Sequence, residues 1–327
     1  MRRFFIALRV FPYYWSINYW QANFKKVVAT FLSMFGILWL FVETANHFNF
    51  KIILPETTPL SFLLMLIGAF ILSILINIPK LVHEVEVADT DIKIELVVSN
   101  LLSLKGDKVI ATNSTFDTTN NDNFISLESV QGQFFKKYYK DITHLDSDLT
   151  KSLSAETPIQ VLNRSESKNN QYQIGTVAKI THPISKPVWN PWANESDFRS
   201  YWLALADVNE FGKPTSSLEN LQESLIALWE YIATKGHLEN LVIPILGSGR
   251  TGINEKRDRL LQEIVFSFVA FASEKKVSGN KLTEKLTIAI HPSDLLAHKI
   301  NFNELVGFIE YTCKYKSSKN FGRSKEI

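Results

Sequence analysis

The stretch IPILGSGRTGI, from Ile243 to Ile253, holds the residue types best suited to binding an anion. Glycine lets the backbone adopt positive φ and approach a ligand closely, and consecutive N–H groups in such a turn form an anion-binding nest. A helical pattern follows directly, and its N-terminus would add the positive end of a dipole. The loop has three glycines and three polar side chains: Gly247, Ser248, Gly249, Arg250, Thr251 and Gly252.

The same glycines are equally compatible with a structural turn between a strand and a helix. The loop is not a Walker A motif, because it lacks Gly-Lys-Ser/Thr. It is also not a dinucleotide fingerprint, because the first βα unit and the acidic partner are absent. The local pattern therefore leaves phosphate binding and a structural turn open.

Other side chains give weaker chemical signals. The histidines show no metal-ligand spacing with carboxylates or with the single cysteine, Cys313, which also excludes an internal disulfide. His291 follows a predicted strand and is the one histidine placed to touch a ligand, although a capping or surface role is more usual there. No nucleophile with an adjacent base emerges. We therefore expect no catalytic residue, no metal and no cofactor.

Strand and helix patterns alternate through the second half of the chain, which predicts an α/β fold with a mainly parallel or mixed sheet. Ligands of such sheets bind beyond the carboxyl ends of the strands. We therefore expect one rim to collect the segments that follow five strands: Ser99–Asn100, Asn113–Thr115, Asp207–Asn209, Gly247–Gly252 and His291–Ser293.

The helices of this part have start and stop signals of unequal strength. One amphipathic helix is capped by Ser216 or Ser217 and stopped by Gly236. A second spans roughly Glu255 to Lys275, and the pattern from Leu295 to Tyr311 predicts one final helix. The segments TPIQVLN and QYQIGTVAKI predict a pair of strands.

Two uncharged apolar runs, Val27–Val42 and Pro59–Pro79, precede the alternating part. A membrane-spanning helix needs about 20 apolar residues. The second run meets this length, and the first does so if the residues just past Glu43 are included. Two spans are favoured over buried core helices. They are also favoured over a cleaved signal peptide for the first run, since a signal peptide has its apolar core close to the N-terminus.

The basic residues before the first run predict the orientation of the hairpin. The segment has no acidic residue and carries Arg2, Arg3, Arg9, Lys25 and Lys26. By the positive-inside rule both ends face the cytoplasm and the short loop faces out. The whole chain is close to neutral, with a formal net charge of +2, which gives no argument for a nucleic-acid partner.

These patterns divide the chain into five parts. We expect an interfacial segment at 1–26, a transmembrane hairpin at 27–80 with spans at about 27–48 and 59–79, an acidic linker at 81–90, a ligand-binding domain at 91–313 and a basic tail at 314–327.

Three segments resemble macro domains, a family that binds ADP-ribose. KGDKVIATNST resembles the early strand and Asn-containing loop, and YQIGTVAKI resembles the central region in which a glycine precedes a strand. IPILGSGRTGI is similar to the family's loop around the diphosphate. The resemblance implies a three-layer α/β/α fold with a mixed sheet. With two spans in front, the chain is similar in particular to membrane-anchored effectors of type II Thoeris antiphage defence.

The resemblance also implies roles for individual residues. Six loop residues would hold the diphosphate and the distal side of the ligand: Gly247, Ser248, Gly249, Arg250, Thr251 and Gly252. Pro244 and Ile253 would also contact the ligand. Asn113 would meet the distal ribose with Ser114 and Thr115 beside it, and Ser99 and Asn100 would lie near the adenine. Weaker candidates for ligand contact are Asp207, Asn209 and His291. The chain departs from hydrolytic members of the family after Asn113, where STFDTTNNDNF replaces a run of glycines. Asp117 in that segment would be either a base or, more commonly, a solvated loop aspartate.

The function implied by the resemblance is that of a signal-gated effector in the bacterial inner membrane, multi-pass, with both termini and the soluble domain cytoplasmic. A TIR-domain partner enzyme would supply a histidine-conjugated ADP-ribose. Binding of this nucleotide would cause homo-oligomerisation, disruption of the lipid bilayer and abortive infection. A membrane-tethered ADP-ribosyl hydrolase and a passive reader of ADP-ribosylated partners are the alternatives.

Overall fold

The computed structural model of the chain describes residues 17–48, 59–77, 81–118, 128–164, 168–182, 197–210, 213–236, 238–249, 253–277, 282–297 and 300–315. It divides into two compact units, residues 1–80 and 81–327.

The N-terminal unit contains two helices, α1 (Ile17–His47) and α2 (Pro59–Ile76). Their apolar stretches, Asn23–Ala45 and Pro59–Ile76, are long and apolar enough to cross a membrane. At 1.5 Å per residue they measure about 35 Å and about 27 Å, close to the thickness of a bilayer core. The buried share is 0% for the stretch in α1 and 11% for the stretch in α2, whereas a core helix of a soluble protein is mostly buried. Both predicted spans therefore coincide with helices.

The two helices pack as a hairpin through small and aromatic side chains. Ala69 and Ser73 of α2 are fully buried, and the Ser73 hydroxyl donates a hydrogen bond to the Val27 carbonyl of α1 at 2.8 Å. Small residues allow this close approach of two helices in an apolar medium. Phe62 contacts Phe35 edge-on, with ring centroids 5.8 Å apart.

The second unit is built on one mixed sheet. Its strands are β1 (Val82–Glu86), β2 (Lys93–Val98), β3 (Asp107–Asn113), β6 (Val177–His182), β7 (Phe198–Val208), β8 (Pro214–Thr215), β9 (Leu241–Pro244) and β10 (Lys285–Ile290). The order across the sheet is β1-β2-β10-β9-β3-β7-β6, and β8 pairs with the end of β7. The five central strands are parallel, and the outer strands β1 and β6 are antiparallel to their neighbours. Two further short strands, β4 (Gln160–Val161) and β5 (Asn170–Gln171), form a separate antiparallel pair.

Helices cover both faces of the sheet. They are α3 (Val130–Tyr138), α4 (Ile142–Ser152), α5 (Leu218–Lys235), α6 (Arg257–Val277), α7 (Pro292–Ala297) and α8 (Phe302–Tyr315). On one face, Phe134 of α3 packs edge-on against Trp202 of β7, with centroids 5.5 Å apart. On the other, Tyr201 of β7 contacts Tyr231 of α5 at 6.2 Å. Neighbouring residues of one strand thus point into two cores, and the predicted three-layer α/β/α fold is confirmed.

Two helix boundaries agree closely with the sequence patterns. Ser217 caps α5 by accepting a hydrogen bond from the Asn220 N–H at 3.2 Å, and Gly236 is the C-cap that follows its last residue, Lys235. Three predictions differ from the structure. The expected strand pair at TPIQVLN and QYQIGTVAKI is reduced to the short β4 and β5, with β6 continuing from the second segment into the main sheet.

The second difference concerns the predicted acidic linker at 81–90. Val82–Glu86 form the edge strand β1, which pairs with β2 from Val82↔Val97 to Glu86↔Lys93. The segment HEVEV alternates along its length, and its half-buried side chains His83 and Val85 lie on one face of the strand. The acidic composition led to the prediction of a linker, although apolar and polar residues alternate with a period of two, as is typical of an edge strand.

The third difference is the final helix, expected as one piece from Leu295 to Tyr311. The structure has two helices instead, and α8 begins afresh at Phe302. The side-chain oxygen of Asn301 accepts hydrogen bonds from the N–H groups of Asn303 at 3.2 Å and Glu304 at 3.4 Å. Asn301 is therefore an N-cap, a role for which asparagine is strongly preferred.

Candidate functional site

The carboxyl ends of the five parallel strands lie along one edge of the sheet, which we call the rim. The strands end there at Val98, Asn113, Val208, Pro244 and Ile290. Residues Ser99, Asn113, Asp207, Gly247 and His291 therefore follow or terminate neighbouring strands on one side of the fold. This is the edge at which ligands of open α/β sheets bind.

The loop after β9 contains a tight turn that requires glycine. Gly247 has φ +78°, and a Cβ placed there would lie 2.5 Å from Cδ1 of Ile253. The Ile253 N–H donates to the Gly247 carbonyl at 3.3 Å, which closes the loop upon itself. Ile253 is 7% exposed and acts as the apolar base of the turn. Arg250, Thr251 and Gly252 lie outside the described residues.

Ser248 and Gly249 form the outer part of this loop. The Ser248 hydroxyl donates to the Ile245 carbonyl at 2.6 Å, so in this structure it serves the loop itself. Gly249 is exposed, and no atom lies within 4 Å of the place where its Cβ would be. The backbone at Gly249 is thus open to a ligand, while Pro244, at the end of β9, is half-buried behind it.

Helix α6 starts two residues later than predicted, at Arg257. Its first turn follows the loop directly, so the positive end of its dipole lies at the rim. Burial, followed by the nearby Glu304 carboxylate, raises the pKa of Asp258 in this turn. Arg257 itself donates from Nη1 to the Ser248 carbonyl at 2.8 Å. Arg257 was not among the predicted site residues, since nothing in the local sequence distinguishes it from the neighbouring basic residues.

Asn113, the residue expected at the distal ribose, ends β3 and is held by the turn that follows. Its Nδ2 donates to Oδ2 of Asp117 at 2.8 Å, and its Oδ1 accepts from the Asp117 N–H at 3.0 Å. Ser114 and Thr115 are fully buried. The hydroxyl of Ser114 accepts from Gln171 at 3.0 Å, and that of Thr115 donates to Asp117 at 2.8 Å. Contact of Asn113, Ser114 and Thr115 with a ligand stays a prediction.

Asp117 is not a solvated loop aspartate, so that interpretation was wrong. It is 1% exposed, and its carboxylate pairs with both terminal nitrogens of Arg164, at 3.0 and 3.2 Å. Its carbonyl also accepts from Gln131 at 2.7 Å. Both carboxylate oxygens are therefore engaged in hydrogen bonds to the guanidinium, a paired arrangement with a well-defined geometry. Arg164 was not among the predicted site residues, because it lies 47 residues away from Asp117 in the sequence.

Ser99 and Asn100, expected near an adenine, are engaged in local structure. The Ser99 N–H donates to the Ile290 carbonyl at 2.9 Å, and the Ser99 and Ser103 hydroxyls are 3.0 Å apart. Asn100 caps the short 3-10 helix Leu101–Ser103, since its Oδ1 accepts from the Leu102 N–H at 2.8 Å. Their contact with a base stays a prediction.

The three weaker candidates differ in their availability. Asp207 is half-buried, and its Oδ1 lies 3.4 Å from the Gln171 amide nitrogen. Asn209 is exposed and accepts from the Lys213 N–H at 3.0 Å, which closes the turn between β7 and β8. His291 is exposed, and its Nδ1 lies 2.6 Å from the Ser293 hydroxyl and 3.3 Å from the Ser293 N–H. His291 therefore caps α7 in this structure.

A metal centre has no candidate within the part of the chain that the structure describes. No group of three or more His, Cys, Asp and Glu side chains there is arranged to hold a metal ion. Burial raises the pKa of the Cys313 thiol to about 12, which makes this cysteine unreactive at neutral pH.

Comparison with known proteins places this architecture in a family. A family model for the macro domain of Thoeris protein ThsA matches residues 94–291, which is more than half of the chain. Thoeris protein ThsA from Bacillus amyloliquefaciens (strain Y2) is 26% identical over 312 residues, and the match covers 84% of this chain and 94% of that protein.

Among solved structures, the chain is similar to an Oceanobacillus iheyensis macrodomain with ADP, at a TM-score of 0.42 and 10% identity, covering 72% of this chain and 96% of that one. The same macrodomain with MES bound has a TM-score of 0.39 and 10% identity and covers 67% and 100% of the two chains. These scores are below 0.5, so the assignment rests on the match to the family model. The chain belongs to the family of ThsA macro domains of Thoeris proteins.

Proposed function

We propose that this chain is a membrane-anchored effector of bacterial antiphage defence and that its rim binds an ADP-ribose-derived signal. One observation carries the proposal: a single chain joins a ThsA macro domain, with an open glycine turn at the N-terminus of α6, to two helices apolar enough to span a membrane. The first part suits the recognition of a nucleotide, and the second suits an action on the bilayer.

The turn at Gly247–Gly249 is the proposed binding site of the diphosphate. A diphosphate carries negative charge and several acceptor oxygens, which match backbone N–H groups and a helix N-terminus. Gly249 is exposed, with free space where a side chain would begin. A ligand can thus reach the backbone there without displacing a side chain of this residue.

The proposed signal is histidine-conjugated ADP-ribose, produced by a TIR-domain partner enzyme. Asp207 supports a distal group of this kind. It lies on β7, the neighbour of β3, and the Gln171 amide at 3.4 Å is a long hydrogen-bond contact. The half-buried carboxylate can accept hydrogen bonds from an amino group on the far side of the distal ribose.

Signal binding is proposed to favour an assembly of several chains whose hairpins then disrupt the inner membrane and cause abortive infection. A ligand shifts such an equilibrium only if it binds the assembled state better than the resting one. The soluble domain and both termini would face the cytoplasm, in keeping with the basic residues before α1.

A hydrolase receives less support from the same site. The carboxylate next to Asn113 belongs to Asp117, and Arg164 occupies both of its oxygens. We therefore propose a binding role for the rim, without turnover of the ligand.

The test uses the full chain in lipid nanodiscs for binding and in dye-loaded liposomes for leakage. Calorimetry should detect binding of ADP-ribose and tighter binding of its histidine conjugate. The conjugate should also raise the molecular mass of the protein assembly and the release of dye from the liposomes. NAD is the comparison ligand. If neither ADP-ribose nor the conjugate binds, the proposed site is wrong. If the conjugate binds without a change in mass or leakage, the effector mechanism is wrong while the binding site stands.

A further inference from the structure

Arg257 joins three pieces of the rim. Its Nη1 donates to the Ser248 carbonyl in the loop after β9, at 2.8 Å. Its Nη2 lies 3.3 Å from Oδ1 of Asp294, in helix α7 after β10. The two side chains are only 18% and 19% exposed. A half-buried charged pair whose guanidinium also donates to a backbone carbonyl has a more fixed geometry than an exposed pair.

The contact to Ser248 determines where the next N–H group points. In a trans peptide the C=O of one residue and the N–H of the next point in opposite directions, and the described chain contains no cis peptide bond. Because the Ser248 carbonyl points towards Arg257, the Gly249 N–H points away from it. Gly249 itself is exposed, and no atom lies within 4 Å of the place where its Cβ would be.

Asp294 keeps the guanidinium in place from the other side. It belongs to the first turn of α7, and its N–H donates to the His291 carbonyl at 2.9 Å. Strands β9 and β10 are neighbours, paired up to Pro244 and Ala289. The ion pair between Arg257 and Asp294 therefore connects the loops that follow two adjacent strands.

We infer that Arg257 is a positioning residue of the nucleotide site: together with Asp294 it orients the Ser248–Gly249 peptide so that the Gly249 N–H faces the ligand. The nature of the ligand rests on the proposed function, whereas the orientation of the peptide does not. Arg257 acts through Ser248 and does not itself touch the ligand.

The same helix offers a matched control. Arg259, two residues further on, is 47% exposed and pairs with Glu263 of α6 at 2.7 Å. Removal of its guanidinium changes the net charge of the helix by the same amount and leaves the loop after β9 untouched.

The Gly249 amide can be observed selectively. Ser–Gly occurs only at 248–249 and 278–279 in the sequence. Cell-free synthesis of the full chain in nanodiscs, with 13C-carbonyl serine and 15N-glycine, therefore leaves two carbonyl-linked amide signals. The variant Gly279→Ala identifies them, and the Gly279 signal is an internal control.

Without ligand, Arg257→Ala and Asp294→Asn should move or broaden the Gly249 signal, and Arg259→Ala should leave it in place. By calorimetry, Arg257→Ala should weaken ADP-ribose binding about tenfold, since hydrogen bonds of charged groups contribute on this scale. Arg257→Lys keeps the charge but loses the guanidinium that reaches two partners. Its affinity for ADP-ribose should therefore lie between those of the wild type and Arg257→Ala.

The inference is overturned if Arg257→Ala weakens binding while the unliganded Gly249 signal stays unchanged, because Arg257 then contacts the ligand directly. It is also overturned if neither the signal nor the affinity changes. Should the wild type fail to bind ADP-ribose at all, the proposed function fails, and the unliganded signals of Arg257→Ala and Asp294→Asn still decide whether the peptide is positioned as inferred.

Discussion

Asp117 and Arg164 form a buried ion pair in which both carboxylate oxygens meet the guanidinium, at 3.0 and 3.2 Å. Their side chains are 0% and 2% exposed. The pair fixes the turn after β3, since the same carboxylate also accepts from Asn113 and Thr115. The turn that follows Asn113 is therefore held by a buried ion pair between residues 47 positions apart in the sequence.

Removal of one partner should destabilise the fold strongly. Asp117→Asn or Arg164→Ala leaves a charged or polar group buried without its partner, which costs about 3–5 kcal/mol in the free energy of unfolding. Urea unfolding of the full chain, followed by tryptophan fluorescence, measures the effect. The control is Lys93→Gln, whose pair with Glu84 is 49% and 39% exposed and should contribute little. Equal stability of Asp117→Asn and the wild type would contradict this assignment.

The second prediction concerns the turn at Gly247. Gly247→Ala should destabilise the loop by about 1–2 kcal/mol, because left-handed backbone is costly for a residue with a Cβ. The contact of that Cβ with Ile253, at 2.5 Å, adds to this cost. Ile253→Val in the same chain removes Cδ1 and should restore only part of the loss. Gly249→Ala, which has neither a positive φ nor a close neighbour, should be nearly neutral in the same unfolding measurement.

The sequence could predict those features that depend on local periodicity and local capping. Ser217 and Gly236 bracket α5 as expected, and the strands that feed the rim follow from apolar runs bounded by polar residues. The parallel order of the central strands follows from the alternation of strands with helices. The position of the Gly247 loop at the rim needed no information beyond these rules.

The remaining features depend on contacts between distant parts of the chain. Arg164 meets Asp117 across 47 residues, and nothing around Arg164 distinguishes it from a surface arginine. Arg257 was missed because only the three-dimensional position of Ser248 gives it a role. Strand β1 was hidden by its acidic composition, since an edge strand needs only one half-buried face.

The third prediction is a loss of stability in mild acid caused by His182. Burial lowers its pKa to about 4. Its Nε2 lies 2.7 Å from the Ser200 hydroxyl. Because Ser200 accepts from Trp202 Nε1 at 2.9 Å, its own proton is free to be donated to a neutral histidine. The folded state thus prefers uncharged His182, whereas the unfolded chain takes up a proton near pH 6.5.

The direction of the pH effect on stability follows from the pKa of His182 in the folded and unfolded states. Above pH 6.5 the histidine is neutral in both states and has no effect. Between pH 6.5 and 4 the unfolded state binds the proton first, so the free energy of unfolding should fall by up to about 3 kcal/mol. Unfolding midpoints measured at several pH values give this slope. In His182→Gln this part of the slope should disappear; an unchanged slope would assign it to other groups.

The fourth prediction concerns the proposed ligand loop. Gly249→Glu should abolish ADP-ribose binding and signal-induced leakage, because it places a negative side chain where the diphosphate is expected. The new side chain meets no atom within 4 Å at its Cβ, so the fold and membrane insertion should be retained. Gly307→Glu is a matched control: it adds the same charge at an exposed glycine of α8, again with free space at its Cβ. Calorimetry and dye release on both variants compare the two positions directly. The two variants add the same charge at positions with similar space, so a loss of binding in Gly249→Glu alone indicates that the ligand lies at Gly249. If Gly249→Glu still binds ADP-ribose, the ligand lies at another part of the rim.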